Sequence, residues 1–221
     1  MKKLDIIQTI KDGATLGVKN FAQVLLAVLL YVITLWIPYL NIATTIGLYH
    51  IIIDLSKGKT INPLSIFDKK NFSGWSNFFI FFGLYVAGIT AAGIFFFIPA
   101  LVMSIAWMFA IYFVIEKDMR PTEALEKSYA ATKGEKWRIV AVIAICVLAL
   151  NLVSAILGVI PYVGTFLVLV AALLGMVIFL AILSVMYKHF SDKLEAPAEP
   201  VAPVAPVAPV APEASVAPVA E

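Results

Sequence analysis

The sequence predicts an all-α polytopic membrane protein, with six transmembrane helices arranged as three hairpins and short interfacial helices on the cytoplasmic side. Of its 221 residues, 62% are hydrophobic and 14% are charged, whereas a soluble domain is about a quarter charged. Residues 20–53, 71–115 and 139–187 contain no Asp, Glu, Lys or Arg. Each of these charge-free runs also holds one Ile-Pro pair, at Ile37, Ile98 and Ile160. Together these observations indicate paired spans joined by tight, uncharged turns.

Each charge-free run is too long for one crossing, because a helix needs only about 20 residues to cross about 30 Å of hydrocarbon. Proline fits the first turn of a new helix better than the interior of one, so each Ile-Pro pair marks a turn. Barrel strands would alternate apolar and polar residues, and the run of residues 78–82 does not. The predicted spans are residues 21–37, 39–53, 77–98, 99–115, 139–160 and 162–187. The first run is barely two spans long, so its hairpin could also dip into the membrane without fully crossing it.

The positions of the basic residues predict the orientation. All 16 Lys and Arg residues lie in the N-terminal segment, in residues 54–77 and 116–138, or after residue 187, and the three hairpin turns have none. Positive charge near span ends stays in the cytoplasm. We therefore expect a multi-pass protein of the cell (cytoplasmic) membrane with both termini inside. The polar segment that precedes the first run lacks the features of a cleaved signal peptide.

Three regions are expected along the chain. Residues 1–20 predict a cytoplasmic interfacial helix, residues 21–190 the six-helix membrane domain, and residues 191–221 a disordered Pro/Ala/Val-rich cytoplasmic tail. Proline at every third position of the tail favours an extended polyproline II conformation, which could serve as a docking strip or only as a spacer. In the first region an apolar face at helical spacing is formed by Ile7, Ile10, Ala14, Gly17 and Phe21.

An internal repeat is visible in the sequence. Residues 12–39 and 127–162 share one plan: a charged lead-in, an interfacial aromatic residue, an apolar helix, and then Ile-Pro-Tyr. The middle unit follows the plan more loosely. Internal repeats are common in transporters, and they also arise when a stable hairpin is simply duplicated.

Two groups of polar residues are candidate ligand-binding positions. His50 and Asp54 are one helical turn apart at the cytoplasmic end of the second predicted span, so their side chains can meet and could serve proton coupling or head-group contact. Asn151 and Ser154 share a face of the fifth span and could line a polar cavity. The alternatives are a neutral, hydrogen-bonded histidine beside an interfacial aspartate, and polar contacts between packed helices.

Several functional classes lack their sequence features. The net charge of +2 gives no basic field for nucleic acid. Cys146 is the single cysteine, and two histidines on different spans do not form a metal site of ordinary spacing. No catalytic motif is present, so we expect no enzyme activity and no cofactor.

The six-span portion resembles a group of prokaryotic membrane proteins, the YciC-type proteins and the membrane domain attached to glycerophosphoryl diester phosphodiesterases. The likeness covers about residues 4–189. It is carried by the Ile-Pro turns, by Glu123-Ala124-Leu125-Glu126-Lys127-Ser128, and by Gly134 and Trp137. The resemblance implies a six-helix membrane unit without the phosphodiesterase barrel, so no catalytic residue carries over.

The expected function is that of a non-catalytic membrane component that organises membrane lipids or a membrane or cytoplasmic protein partner. The alternative is a transporter or carrier of a lipid or small amphiphile that uses the polar face around Asn151, with His50 as a further candidate. Neither the partner nor the oligomeric state follows from the sequence.

Overall fold

The computed structural model describes residues 3–195, and this part of the chain is helical throughout, with no strand. The all-α class is therefore confirmed. Of the predicted tail, residues 191–195 belong to the last helix and the remainder lies outside the described residues. Two short 3₁₀ helices, Pro63–Phe67 and Lys69–Phe72, form the linker between α3 and α4. The nine α-helices of residues 3–195 are α1 (Ile6–Lys19), α2 (Phe21–Thr34), α3 (Pro38–Ser56), α4 (Trp75–Phe95), α5 (Phe97–Trp107), α6 (Ala110–Lys117), α7 (Pro121–Thr132), α8 (Lys136–Gly158) and α9 (Gly164–Glu195).

Four helical segments are long and apolar enough to cross a membrane: Trp75–Ile94, Phe97–Lys117, Lys136–Gly158 and Gly164–Glu195. A fifth exists only if α1 and α2, which meet at a bend of 79°, are counted as one broken span. The chain thus has the helices of a membrane protein. The prediction of six spans is not confirmed.

The helix breaks of the second and third charge-free runs lie close to the predicted turns. Phe96 has extended backbone between α4 and α5, and α5 begins two residues before Pro99. The first amides of a helix have no carbonyl partner within it, so proline is tolerated in that first turn. Residues 159–163 separate α8 from α9. In both runs the two flanking helices pack against each other.

The first charge-free run folds differently. With 14 residues, α2 is about 21 Å long at 1.5 Å per residue, which is short of the hydrocarbon thickness of about 30 Å. The ring of Tyr39, next to the first turn, lies 4.7 Å from the ring of Trp75. Since Trp75 begins α4, which has 21 residues, about 30 Å separates this contact from the turn at Phe96. The first hairpin therefore ends beside the charged end of α4 and not level with the α4–α5 turn, which agrees with a hairpin that does not fully cross.

The hydrophobic core gathers at the charged end of the helices. Its members come from α3, α6, α7 and α9, together with Leu4, Phe81, Phe109 and the start of α8, while Ile6 and Ile10 of α1 pack against it. Phe109, Phe113, Tyr187 and Phe190 are among its largest fully buried side chains, and their rings contact one another. Packing at this end does not require lipid, because the side chains cover each other.

The lead-in helices α1 and α7 pack into this core and do not only lie on its surface. A Cβ atom added at Gly13 of α1 would lie 2.7 Å from the Cα of Ile182 in α9, so α1 and α9 approach backbone to backbone. Thr9, Gly13 and Gly17 form the buried face of α1, whereas Ile7 on the predicted apolar face is 67% exposed. Small residues let helices approach closely. The predicted apolar face is thus divided: Gly17 is buried against α9, and only Ile7 is left exposed to lipid.

The far ends of the long helices expose apolar side chains to their surroundings. Around the turns and along α4, α5, α8 and the first half of α9 the exposed residues include Ile94, Phe97, Ile98, Leu148, Ile156 and Phe166. Soluble monomers rarely expose apolar surface of this extent. This half of the molecule is suited to hydrocarbon.

Candidate functional site

A polar pocket opens where α3, the linker, α4 and α6 meet. Its volume is about 360 Å³, near the lower end of the range for small-molecule sites. Ile46, Phe78, Val114 and Ile115 supply its apolar lining. Its polar lining residues are His50, Lys70, Ser73, Asn77 and Asp118.

His50 enters the pocket from α3, whose neighbour Gly47 lets the linker come close. A Cβ at Gly47 would lie 2.6 Å from the Cα of Ile66 and 2.7 Å from the amide nitrogen of Asn71. The Asn71 side chain is fully buried and donates to the carbonyl oxygens of Ser65 and Ile66 at 2.8 and 2.9 Å. Asn71 Oδ1 and His50 Nδ1 are buried atoms without a hydrogen bond among the described residues. His50 therefore lines the pocket, while its Nδ1 is buried against the neighbouring elements and does not face the open volume.

The first turn of α4 forms one wall of the pocket. Gly74, which precedes it, has a φ of 79°, and no side chain caps this helix. Its first amides lack carbonyl partners within the helix and carry a partial positive charge. Asn77 in this turn donates to Asp118 Oδ1 at 3.2 Å, which links α4 to the end of α6. The wall thus presents amide donors next to one carboxylate.

Lys70 supplies the positive charge of the pocket. Its Nζ lies 3.9 Å from the nearest oxygen of Asp68, and both side chains are about half exposed. An exposed pair at that distance holds its partners weakly. The Lys70 ammonium is therefore available to another anion.

Asp54 does not join His50 in this pocket. Its carboxylate accepts a hydrogen bond from Lys59 at 2.9 Å, and no hydrogen bond joins it to His50 within the described part of the chain. The two side chains share a helix face, as expected from their spacing. The structure pairs Asp54 with Lys59 and does not join it to His50.

Asn151 and Ser154 lie elsewhere, on α8. Asn151 is exposed and donates to the carbonyl oxygen of Val147 in its own helix at 2.8 Å. Ser154 is half-buried. Neither residue lines the pocket at His50, so the two candidate groups named from the sequence do not converge.

An apolar groove runs between α8 and α9, with Ile10 of α1 at one end. Its volume is about 460 Å³. The lining is almost wholly apolar and includes Cys146, Leu150, Gly175 and Phe179. Its size and chemistry suit a hydrocarbon chain more than a polar ligand.

A buried carboxylate that was not predicted from the sequence, Glu135, joins three parts of the chain. Only 4% of Glu135 is exposed. Its oxygens accept hydrogen bonds from Leu4 N and from Lys193 Nζ, both at 2.7 Å, and His189 Nε2 lies 3.5 Å away. Arg138 donates to the carbonyl oxygen of Leu4 at 2.6 Å, which closes the cluster.

Burial alone would raise the pKa of Glu135. The hydrogen bonds from Lys193 and from the Leu4 amide, and the charge of Lys193, outweigh burial and hold the pKa below its usual range. Glu135 is therefore an ionised, paired group that fastens the N-terminal segment and the end of α9 to the start of α8. Its position in Gly134-Glu135-Lys136-Trp137, directly before a charge-free run, was the available signal.

A second cluster joins the loop after α3 to α6 and α9. Glu116 pairs with Lys57 and accepts a hydrogen bond from the Tyr187 hydroxyl. Lys70 and Asp118 in the pocket were also missed by the sequence analysis. All of these residues flank charge-free runs, so their type could be read from the sequence while their partners could not.

Metal chemistry has no visible site in residues 3–195. No three His, Cys, Asp or Glu side chains of that range come together as a metal ion would require.

No protein-family model, curated protein sequence or solved structure matches this chain. The resemblance to YciC-type proteins accordingly stays a prediction. The function is therefore inferred from the geometry and chemistry of the structure.

Proposed function

We propose that this chain is a non-catalytic integral protein of the cell membrane that organises lipid or a partner complex at the cytoplasmic surface. The observation that carries the proposal is the placement of the first hairpin. The contact between Tyr39 and Trp75 keeps this hairpin beside the charged end of α4, where Ile33 and Trp36 of its outer part are exposed. An apolar hairpin held at that level enters the head-group region and displaces lipid there.

The proposed topology has charged connections inside and uncharged turns outside. The four long segments cross the membrane, both termini are cytoplasmic, and the first hairpin is inserted from the cytoplasmic side. The supporting facts are the distribution of Lys and Arg and the length of α2. The sequence predicted six crossings. Both termini lie on the same side with any even number of full crossings, so four crossings are sufficient.

Membrane lipids are the proposed partners, with a cytoplasmic protein as a further one. The exposed apolar half favours lipid contact, and the mixed charges around α7 offer a surface for protein. No nucleic-acid partner and no catalytic step are proposed.

A lipid or small-amphiphile carrier is the second candidate, and the groove between α8 and α9 is the observation that favours it. A chain moving through this groove would pass Gly175. A Cβ there would lie 2.6 Å from Leu150 Cδ1, the end of a flexible side chain, so Gly175→Ala narrows the groove when Leu150 changes rotamer. If the protein is a lipid carrier, this substitution should slow lipid movement in reconstituted vesicles. If the protein only organises lipid, the substitution should not change lipid movement.

The experiment that tests the main proposal is mass spectrometry of lipid and protein retained after gentle extraction. We expect the wild type to retain a lipid set different from the bulk membrane, or one stoichiometric partner. Ile33→Gln in α2 should lower that retention. Leu64→Gln in the linker is the matched control, because the two side chains are similarly exposed, at 68% and 61%. Retention that mirrors the bulk membrane, with no partner, would refute the proposal.

A further inference from the structure

We propose that the pocket at His50 binds a zwitterionic phosphoethanolamine head group, with the phosphate at Lys70 and the first turn of α4 and the ammonium at Asp118. This deepens the proposed function, on which it rests for the access of lipid to the site. The pocket joins one ammonium group, one carboxylate and an uncapped helix start, so its charges complement a zwitterion.

The phosphate end has two sources of attraction. The first amides of α4 offer hydrogen-bond donors and a positive dipole end. Lys70 is held only weakly by Asp68. His50 lines the pocket beside them.

The ammonium end is set by Asp118. This carboxylate accepts one hydrogen bond, from Asn77, and a carboxylate has room for several. A primary ammonium donates hydrogen bonds to it, whereas a quaternary choline does not. Asp118 repels a second anionic group, so a glycerol-phosphate head group without a cation gains less from this pocket.

The level of the pocket fits a lipid source. Ser73 and Gly74 of its lining lie between Phe72 and Trp75 in the sequence, and these two rings cluster with Tyr39; aromatic belts mark membrane interfaces. Ile46, Phe78 and Val114 provide apolar lining for the glycerol end.

The test measures binding of dihexanoyl phosphatidylethanolamine to the full chain, stripped of lipid in a mild detergent. Dihexanoyl phosphatidylglycerol, dihexanoyl phosphatidylcholine and inorganic phosphate are the comparison probes. We expect the ethanolamine lipid to bind roughly tenfold more tightly than each of them, the size of one charge-assisted hydrogen bond. Lys70→Gln should weaken its binding roughly tenfold, and Lys70→Arg should restore most of it.

Lys69→Gln is the matched control, because Lys69 neighbours Lys70 and does not line the pocket. Asp118→Asn should remove the preference for ethanolamine over glycerol. Asparagine tolerates the left-handed backbone of residue 118, whose φ is 47°, and the unfolding midpoint without lipid checks the fold of each variant.

Three results would overturn the site: equal effects of Lys69→Gln and Lys70→Gln, equal binding of the glycerol and ethanolamine lipids, or inorganic phosphate binding as tightly as the lipid. The last would mark a free-phosphate site. If the wild type retains a specific lipid set while Lys70→Gln binds normally, the pocket assignment fails and the proposed function survives. The reverse pattern refutes the proposed function and leaves the pocket assignment standing.

Discussion

Removal of the Glu135 carboxylate should be the most destabilising change at the charged end. Its oxygens accept two hydrogen bonds at 2.7 Å, from Leu4 N and Lys193 Nζ. The Lys193 side chain is only 17% exposed, so Glu135→Ala leaves the buried Leu4 amide without its acceptor and the partly buried ammonium with only the carbonyl oxygen of Ala131, at 2.8 Å. Breaking a buried pair costs about 3–5 kcal/mol, and we expect a loss of that size in the free energy of unfolding.

The assay is equilibrium unfolding in mixed micelles, followed by tryptophan fluorescence. Glu135→Gln keeps an acceptor oxygen and should lose less than Glu135→Ala. Glu123→Gln is the control, because the Glu123 pair with Lys127 is exposed on one helix and contributes little. If Glu135→Ala unfolded at the same point as this control, the cluster would not fasten the three segments.

The same carboxylate sets a pH dependence. Because the pKa of Glu135 is lowered in the folded protein, its contribution is fully present above the unfolded value of about 4.3 and is lost as the pH falls through the lower folded pKa. The wild type should therefore lose stability in acid more steeply than Glu135→Gln. Parallel acid profiles for the two proteins would refute the assignment.

Two further predictions concern packing and the exposed face of α8. Gly47→Ala should lower the free energy of unfolding by about 1–3 kcal/mol, because the new Cβ meets the Ile66 backbone at 2.6 Å. Gly83→Ala is the control: its new Cβ has no atom within 4 Å, so this substitution should be neutral or stabilising. Equal unfolding midpoints for the two variants would refute the close approach of α3 and the linker. Asn151→Leu should leave both the unfolding midpoint and the retained lipid unchanged, since the Asn151 amide binds only its own helix. Loss of lipid movement in vesicles from that substitution would instead favour a path along α8.

The helices of the second and third charge-free runs could be predicted because their cause is local. A long apolar run without charges needs lipid, and lipid requires helices whose backbone groups are satisfied internally. The breaks at Phe96 and at residues 159–163 lie within a few residues of the predicted turns at Ile98 and Ile160.

The first hairpin could not be predicted from local pattern alone. Its position depends on the contact between Tyr39 and Trp75, two residues 36 positions apart in the sequence. Composition makes residues 20–53 as apolar as a pair of spans, while the short α2 and this aromatic contact keep the turn near the start of α4. The only sequence feature that indicated an incomplete crossing was the short length of this charge-free run.

The candidate sites show the same limit. The predicted position of His50 at the end of a span indicated one residue of the pocket, but Lys70 and Asp118 belong to other elements, and Asp54 pairs with Lys59 instead. Glu135 was missed because its partners Leu4 and Lys193 are 131 and 58 residues away. The residue types indicate which side chains can form polar contacts, but their partners are distant in the sequence and are brought together only by the fold.

The central claim is that the long helices cross the membrane with their charged ends inside, while the first hairpin stays on the cytoplasmic side. It is tested most directly by labelling single cysteines in intact cells with a membrane-impermeant maleimide, in a Cys146→Ser background. We expect Val159→Cys, between α8 and α9, to be labelled in intact cells. Trp36→Cys and Lys133→Cys should remain unlabelled as long as the cells are intact. Labelling of Trp36→Cys in intact cells at the rate of Val159→Cys would contradict the account.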